Sequence, residues 1–218
     1  MASKPKFSEA ETLEQYRIAL DNVQTQPKIA AIMAELGYDA AAISEGRAIL
    51  NETRQAYELN QTEGDESTAA YADFSNKKEQ LEDIFSVHRK KAKVIFRKDP
   101  VIAEKLAVSG AKPRTYMRWL EAVKKFYGIA SADTVIQSRL ASLRILVDDL
   151  NAAMAMITDV EAARSNYLRE KGESQDATKI KDAAFAKIDD WMSEFYAVAR
   201  IGLEDNPQLL EALGKVVR

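Results

Sequence analysis

Between Ile136 and Ile157 the apolar residues Ile136, Leu140, Leu143, Val147, Leu150, Met154 and Ile157 alternate spacings of four and three without a break. An α-helix returns side chains to one face at that interval, because each residue advances about 100° around the axis, whereas a strand alternates every second residue. The seam has coiled-coil spacing and predicts one helix from a cap at Ser131 to about Lys171, ended by Gly172.

Helical periodicity covers most of the remaining chain. Ser8 and Glu11 have the form of a capping box ahead of Leu13, Tyr16, Leu20 and Val23. Pro27 suits the first position of a short second helix that stops at Gly37, and Asp39 can cap a third. That third helix is expected to run out in the polar stretch Thr62-Glu63-Gly64-Asp65-Glu66. A long helix from about Ser67 to Lys98 then places Leu81, Ile84, Phe85, His88, Ala92, Ile95 and Phe96 on one face. Pro100 opens a short helix, and another carrying Tyr116, Trp119, Leu120, Val123 and Tyr127 is expected to end at Gly128. The last long helix shows Ile188, Trp191, Met192, Phe195, Ala199 and Leu203 on one face, followed by a closing short helix over Leu209, Leu210 and Leu213. With 8 Gly and 5 Pro in 218 residues there is little material for turns, which agrees with long helices.

The two halves align without gaps when shifted by 107 positions, the distance from Asp99 to Asn206. Ser86 then meets Ser193, Ala92 meets Ala199, Pro100 meets Pro207 and Leu106 meets Leu213. A helix stop shared at the same offset argues for an internal repeat over chance matching of two amphipathic helices. The expected fold is all-α: an antiparallel bundle of long helices made of two tandem helical-hairpin repeats with short flanking helices. Residues 1–7 form a flexible N-terminus, residues 8–110 the first repeat, and residues 111–218 the second, packed with the first as one bundle.

Composition narrows the chemistry. Without cysteine there is no disulfide, thiolate nucleophile or Cys-held metal. His88 is the only histidine, and with Phe85 three residues before it the Glu-x-x-His pair of a di-iron bundle is missing. Adjacent acids such as Asp148-Asp149 diverge on a helix and do not converge on one ligand. No phosphate-cradling Gly loop, nucleophile elbow or zincin motif occurs. The expectation is a non-enzyme with no catalytic residues, no cofactor and no metal. Met1 to Phe7 is charged and lacks a signal-peptide core, and no apolar stretch reaches the roughly 20 residues of a membrane span, so a cytoplasmic protein is expected.

Charge is the informative feature. From Arg89 to Lys125 there are twelve Lys or Arg against Asp99, Glu104 and Glu121, a balance of +9 that leaves −12 on the rest of a chain with net charge −3. Arg89, Lys90, Lys93, Arg97 and Lys98 are the candidate anion- or partner-binding residues. Their counterparts in the second repeat include Tyr196, Ala197, Arg200 and Glu204, so the fold itself does not demand a basic stripe. Tyr196, Val198 and Ile201 lie off the main apolar arc and are candidates for self-association. The leading expectation is action through protein contacts, as scaffold, adaptor or structural element. The alternative is binding of a polyanion, nucleic acid or an acidic partner, through the basic region.

Overall fold

A computed structural model describes residues 7–214, so the expected N-terminal flexibility falls almost wholly outside the described residues. These fold into eight helices and no strand: α1 (Glu9–Thr25), α2 (Pro27–Glu35), α3 (Ala40–Ile95), α4 (Pro100–Lys105), α5 (Tyr116–Ala132), α6 (Thr134–Ala141), α7 (Val147–Gly202) and α8 (Leu209–Ala212). The all-α class is as the periodicity predicts. No helix of the described residues is long and apolar enough to cross a membrane.

Local capping follows the sequence at several ends. Ser8 and Glu11 form the capping box of α1, the Asp39 carboxylate accepts from Ala41 N and Ala42 N at 3.0 Å, and Pro27 and Pro100 open α2 and α4. Other ends differ. α3 and α7 are each 56 residues long and run unbroken through Gly64 and Gly172. Neither glycine adopts a left-handed φ, and a lone helical Gly costs only about 1 kcal/mol against Ala, too little to break a helix with good formers on both sides. Gly128 likewise lies inside α5. Each half of the chain therefore contributes one long helix where a helical hairpin was expected.

The seam from Ile136 to Ile157 is broken where continuity was expected. α6 is capped by Asp133, whose carboxylate accepts from Val135 N and Ile136 N, and not by Ser131. It ends in a turn with Arg144 at φ 57° and Ile145 N donating to Leu140 O at 3.2 Å. This is a left-handed helix stop of the Schellman type. The same geometry closes α2, where Gly37 has φ 93° and Tyr38 N donates to Met33 O at 2.9 Å. Gly37 announces its turn in the sequence and Arg144 does not. Apolar spacing reads through the turn by way of Leu143 and Val147, yet both are exposed, and the core passes instead from Leu140 to Ile145 and Leu150.

The chain divides into two compact units, each drawn from both halves of the sequence: residues 1–64 with 173–218, and residues 65–172. In the first unit α1, α2 and α8 pack with residues 40–64 of α3 and 173–202 of α7, which run antiparallel. Gly46 lies against Trp191, the Thr53 hydroxyl donates to Ala184 O at 3.1 Å, and Asn60 Nδ2 donates to Thr178 Oγ1 at 2.9 Å. The core holds Leu13, Leu20, Ile29, Met33, Ile43, Met192, Phe195 and Leu203. In the second unit α4, α5 and α6 pack with residues 65–95 of α3 and 147–172 of α7 around Leu81, Phe85, Phe96, Val123, Phe126, Tyr127, Leu140, Leu150 and Val160. His88 belongs to this core. Its Nδ1 lies 3.0 Å from the Tyr127 hydroxyl, and burial pushes the imidazole below its ordinary pKa.

Candidate functional site

The basic stripe divides by environment. Arg89 is 7% exposed, its guanidinium donates to Gly110 O at 3.1 Å, and burial pushes its pKa down from the ordinary value. Lys93 Nζ donates to the same carbonyl at 2.8 Å. Both fasten the segment between α4 and α5. Lys90, Arg97 and Lys98 are exposed and form no ion pair with a described residue. Elsewhere in the basic region Lys112 pairs with Glu82 at 2.7 Å and Lys124 with Glu161 at 2.6 Å. Much of the positive charge is therefore engaged within the second unit.

Among the self-association candidates, Tyr196 is buried, its hydroxyl donates to Leu213 O at 3.1 Å, and burial raises its pKa to about 12. Arg89 and Tyr196, 107 positions apart, thus fasten segments beyond α4 and α8 by different chemistry. Val198 is half-buried against the first unit's core, and Ile201 stands 70% exposed.

Placed side by side, the outer ridges at the ends of α3 and α7 are opposites. On α3 and the turn after it, Val87, Lys90, Val94, Arg97 and Lys98 are all exposed, with Val94 at 60%. The positions 107 residues later are Glu194, Ala197, Ile201, Glu204 and Asp205, also all exposed. One ridge sets three cations around a valine, and the other sets three acids around an isoleucine. None of these six charges pairs with a described residue, although Asp83 and Asp190 both add an exposed acid a turn earlier. Cations at a helix C-terminus are favoured by its dipole; Glu204 and Asp205, just beyond the end of α7, sit against that preference. Helix stability does not explain them.

The second unit also carries a cleft of about 350 Å³ lined by Tyr71, Phe74, Ser75, Lys78, Tyr116, Arg164, Tyr167 and Leu168. Phe74 and Tyr167 stack in parallel planes with centroids 6.2 Å apart, and Tyr71 tilts against Tyr167 at 5.2 Å. The Arg164 guanidinium lies 4.1 Å from the centroid of Tyr116. Burial pushes the Tyr116 phenol up, and its enclosed hydroxyl makes no hydrogen bond of good geometry. A neighbouring hollow of about 230 Å³ shares Lys78 and Tyr116 and adds Glu82, Lys112, Pro113, Arg114 and Trp119. Lys78 lies 5.2 Å over the Trp119 ring and pairs with Glu82 at 2.9 Å, and the two lysines hold that carboxyl below the usual carboxylate range. The Trp119 side chain is buried and its indole N–H has no described acceptor, a deficit worth about 1–3 kcal/mol.

Sequence reading singled out none of the residues lining the first cleft except Tyr116, which it placed on a helix face. The signal was present as Tyr71, Phe74 and Lys78 at offsets of three and seven, and Arg164 and Tyr167 at three. What was missing was the antiparallel register that brings Tyr71 to Tyr167. The chain matches no protein-family model, no curated protein and no solved structure.

Proposed function

We propose that this is a non-catalytic structural protein of the cytoplasm that joins copies of itself, the basic ridge of one copy docking on the acidic ridge of the next. The observation that carries the reading is the complementarity of the two ridges: Lys90, Arg97 and Lys98 around Val94, against Glu194, Glu204 and Asp205 around Ile201. An exposed apolar centre rimmed by charge is the arrangement of a protein contact, with burial at the centre and steering at the rim. A contact between two different faces does not close on itself as a twofold dimer does, so it extends into chains or closes into rings.

Polyanion binding draws less support, because Arg89, Lys93, Lys112 and Lys124 already serve acceptors within the second unit. The non-catalytic part of the proposal draws support from the lone histidine, which is engaged in the core contact with Tyr127.

The test is sedimentation over a concentration series at low and high ionic strength. Wild type is expected to form species larger than a monomer at low salt and to dissociate as screening rises. Reversing the basic ridge (Lys90→Glu, Arg97→Glu, Lys98→Glu) or the acidic one (Glu194→Lys, Glu204→Lys, Asp205→Lys) abolishes assembly of each variant alone. Mixing the two variants restores alternating assembly, because each then offers only the charge that the other lacks. A wild type that is monomeric throughout, or a mixture that stays monomeric, rejects the proposal. Retention on single- or double-stranded DNA that is lost with the basic-ridge variant, without self-assembly, would establish the polyanion reading instead.

A further inference from the structure

We infer that the aromatic cleft of the second unit binds a small ligand joining a flat ring to an anionic group, of the size of a nucleoside monophosphate. Its volume of about 350 Å³ lies at the small end of ligand pockets. Two kinds of group line it and they suit the two halves of such a ligand. Tyr71, 53% exposed, stands with Tyr167 and Phe74 as a set of rings against which a planar base can stack. Arg164 supplies the charge, with Lys78 beside it shared with Glu82 at 2.9 Å, and no acid lines this cleft. Arg164 pairs with no described carboxylate; one guanidinium nitrogen donates to Met117 Sδ at 3.5 Å and the stacking on Tyr116 fixes the plane, which leaves the remaining N–H groups for an anion.

The matching positions in the first unit show that the fold does not require this arrangement. Where the second unit sets Phe74 against Tyr116 at 5.6 Å, the first has the ion pair of Lys181 with Glu9 at 2.5 Å. Where Tyr71 meets Tyr167, the first unit closes the same level with the hydrogen bond between Asn60 and Thr178. One unit satisfies these positions with an ion pair and a hydrogen bond, and the other lines a cleft with aromatic rings and a guanidinium that has no carboxylate partner among the described residues. This inference is independent of self-association, since it uses neither ridge.

Isothermal calorimetry on the full chain decides it, with adenosine monophosphate, adenosine, inorganic phosphate and a short single-stranded oligonucleotide as probes. Adenosine monophosphate is expected to bind saturably, with adenosine and phosphate each at least about tenfold weaker because each engages only half the site. Tyr71→Ser at an exposed position and Arg164→Gln at a half-buried one are each expected to weaken it by about tenfold while leaving the melting temperature close to wild type. Tighter binding of the oligonucleotide per site identifies the source as a single strand, and equal binding identifies a free nucleotide. No saturable heat with any probe, equal affinity for adenosine or phosphate alone, or unchanged affinity in both variants overturns the inference.

Discussion

Five glycines inside or at the ends of helices are expected to respond to alanine with opposite signs, and the geometry says which. A Cβ added at Gly64, Gly128 or Gly172 would meet no atom within 4 Å, and none of the three has a positive φ. Removing a helical glycine there gains the propensity difference, about 0.5–1 kcal/mol each and about 1.5–3 kcal/mol together if the sites are independent. At Gly46 the added carbon would lie 2.5, 2.7 and 2.7 Å from three atoms of the Trp191 ring. The indole is held edge-on by Tyr38 at 5.5 Å and stacked on Phe195 at 5.6 Å, so it has no cheap direction in which to retreat. Overpacking of about 1–3 kcal/mol outweighs the propensity gain and leaves Gly46→Ala destabilised by about 1–2 kcal/mol. The positions 107 residues away hold Ala153 and Ile84, an alanine and a side chain smaller than tryptophan. In a Trp191→Ile background Gly46→Ala is accordingly expected to change sign, a coupling of about 2 kcal/mol in the double-mutant cycle. Gly202→Ala, at 2.6 Å from a Leu36 methyl at the end of a flexible side chain, falls between these extremes. Urea denaturation followed by circular dichroism and tryptophan fluorescence gives the midpoints. Destabilisation by Gly64→Ala or Gly172→Ala would refute the continuity of α3 and α7, and an unchanged cost of Gly46→Ala without the indole would refute the packing argument.

Three further outcomes are expected. Burial holds His88 below its unfolded pKa, so stability is full above the ordinary imidazole value and is lost as pH falls through it toward the folded value; His88→Phe, the residue at Phe195, should remove that step from a plot of urea midpoint against pH. Asp99, through the Ile102 amide and then Arg139, and Asp133, through the Ile136 amide, are held below the ordinary carboxylate value, so their contribution is present above it and lost as pH falls further; Asp133→Ala should lower the neutral-pH midpoint and flatten the acid limb. Arg144 occupies a left-handed turn at φ 57°, where glycine avoids a cost of about 1 kcal/mol, so Arg144→Gly should raise the melting temperature of the chain, and a fall would show that its side chain outweighs the backbone strain.

What the amino-acid sequence determined by itself is local. It specified helices, because apolar side chains at spacings of three and four have one face to bury. It specified the ends at which a side chain or ring acts on its own backbone, as Ser8, Asp39, Pro27 and Pro100 do. It also polarised the charge, which is a property of order along the chain. The tertiary structure decided the rest. It carried α3 and α7 through Gly64 and Gly172, where a weak local preference is outweighed by the helical turns on either side, and it bent the chain at Arg144, whose side chain gives no warning of a left-handed turn. It turned Arg89 inward to Gly110 and brought Tyr71 to Tyr167, 96 residues away. Periodicity reports which face of a helix is buried; the partner it meets depends on the antiparallel register of two long helices, which no window of neighbouring residues contains.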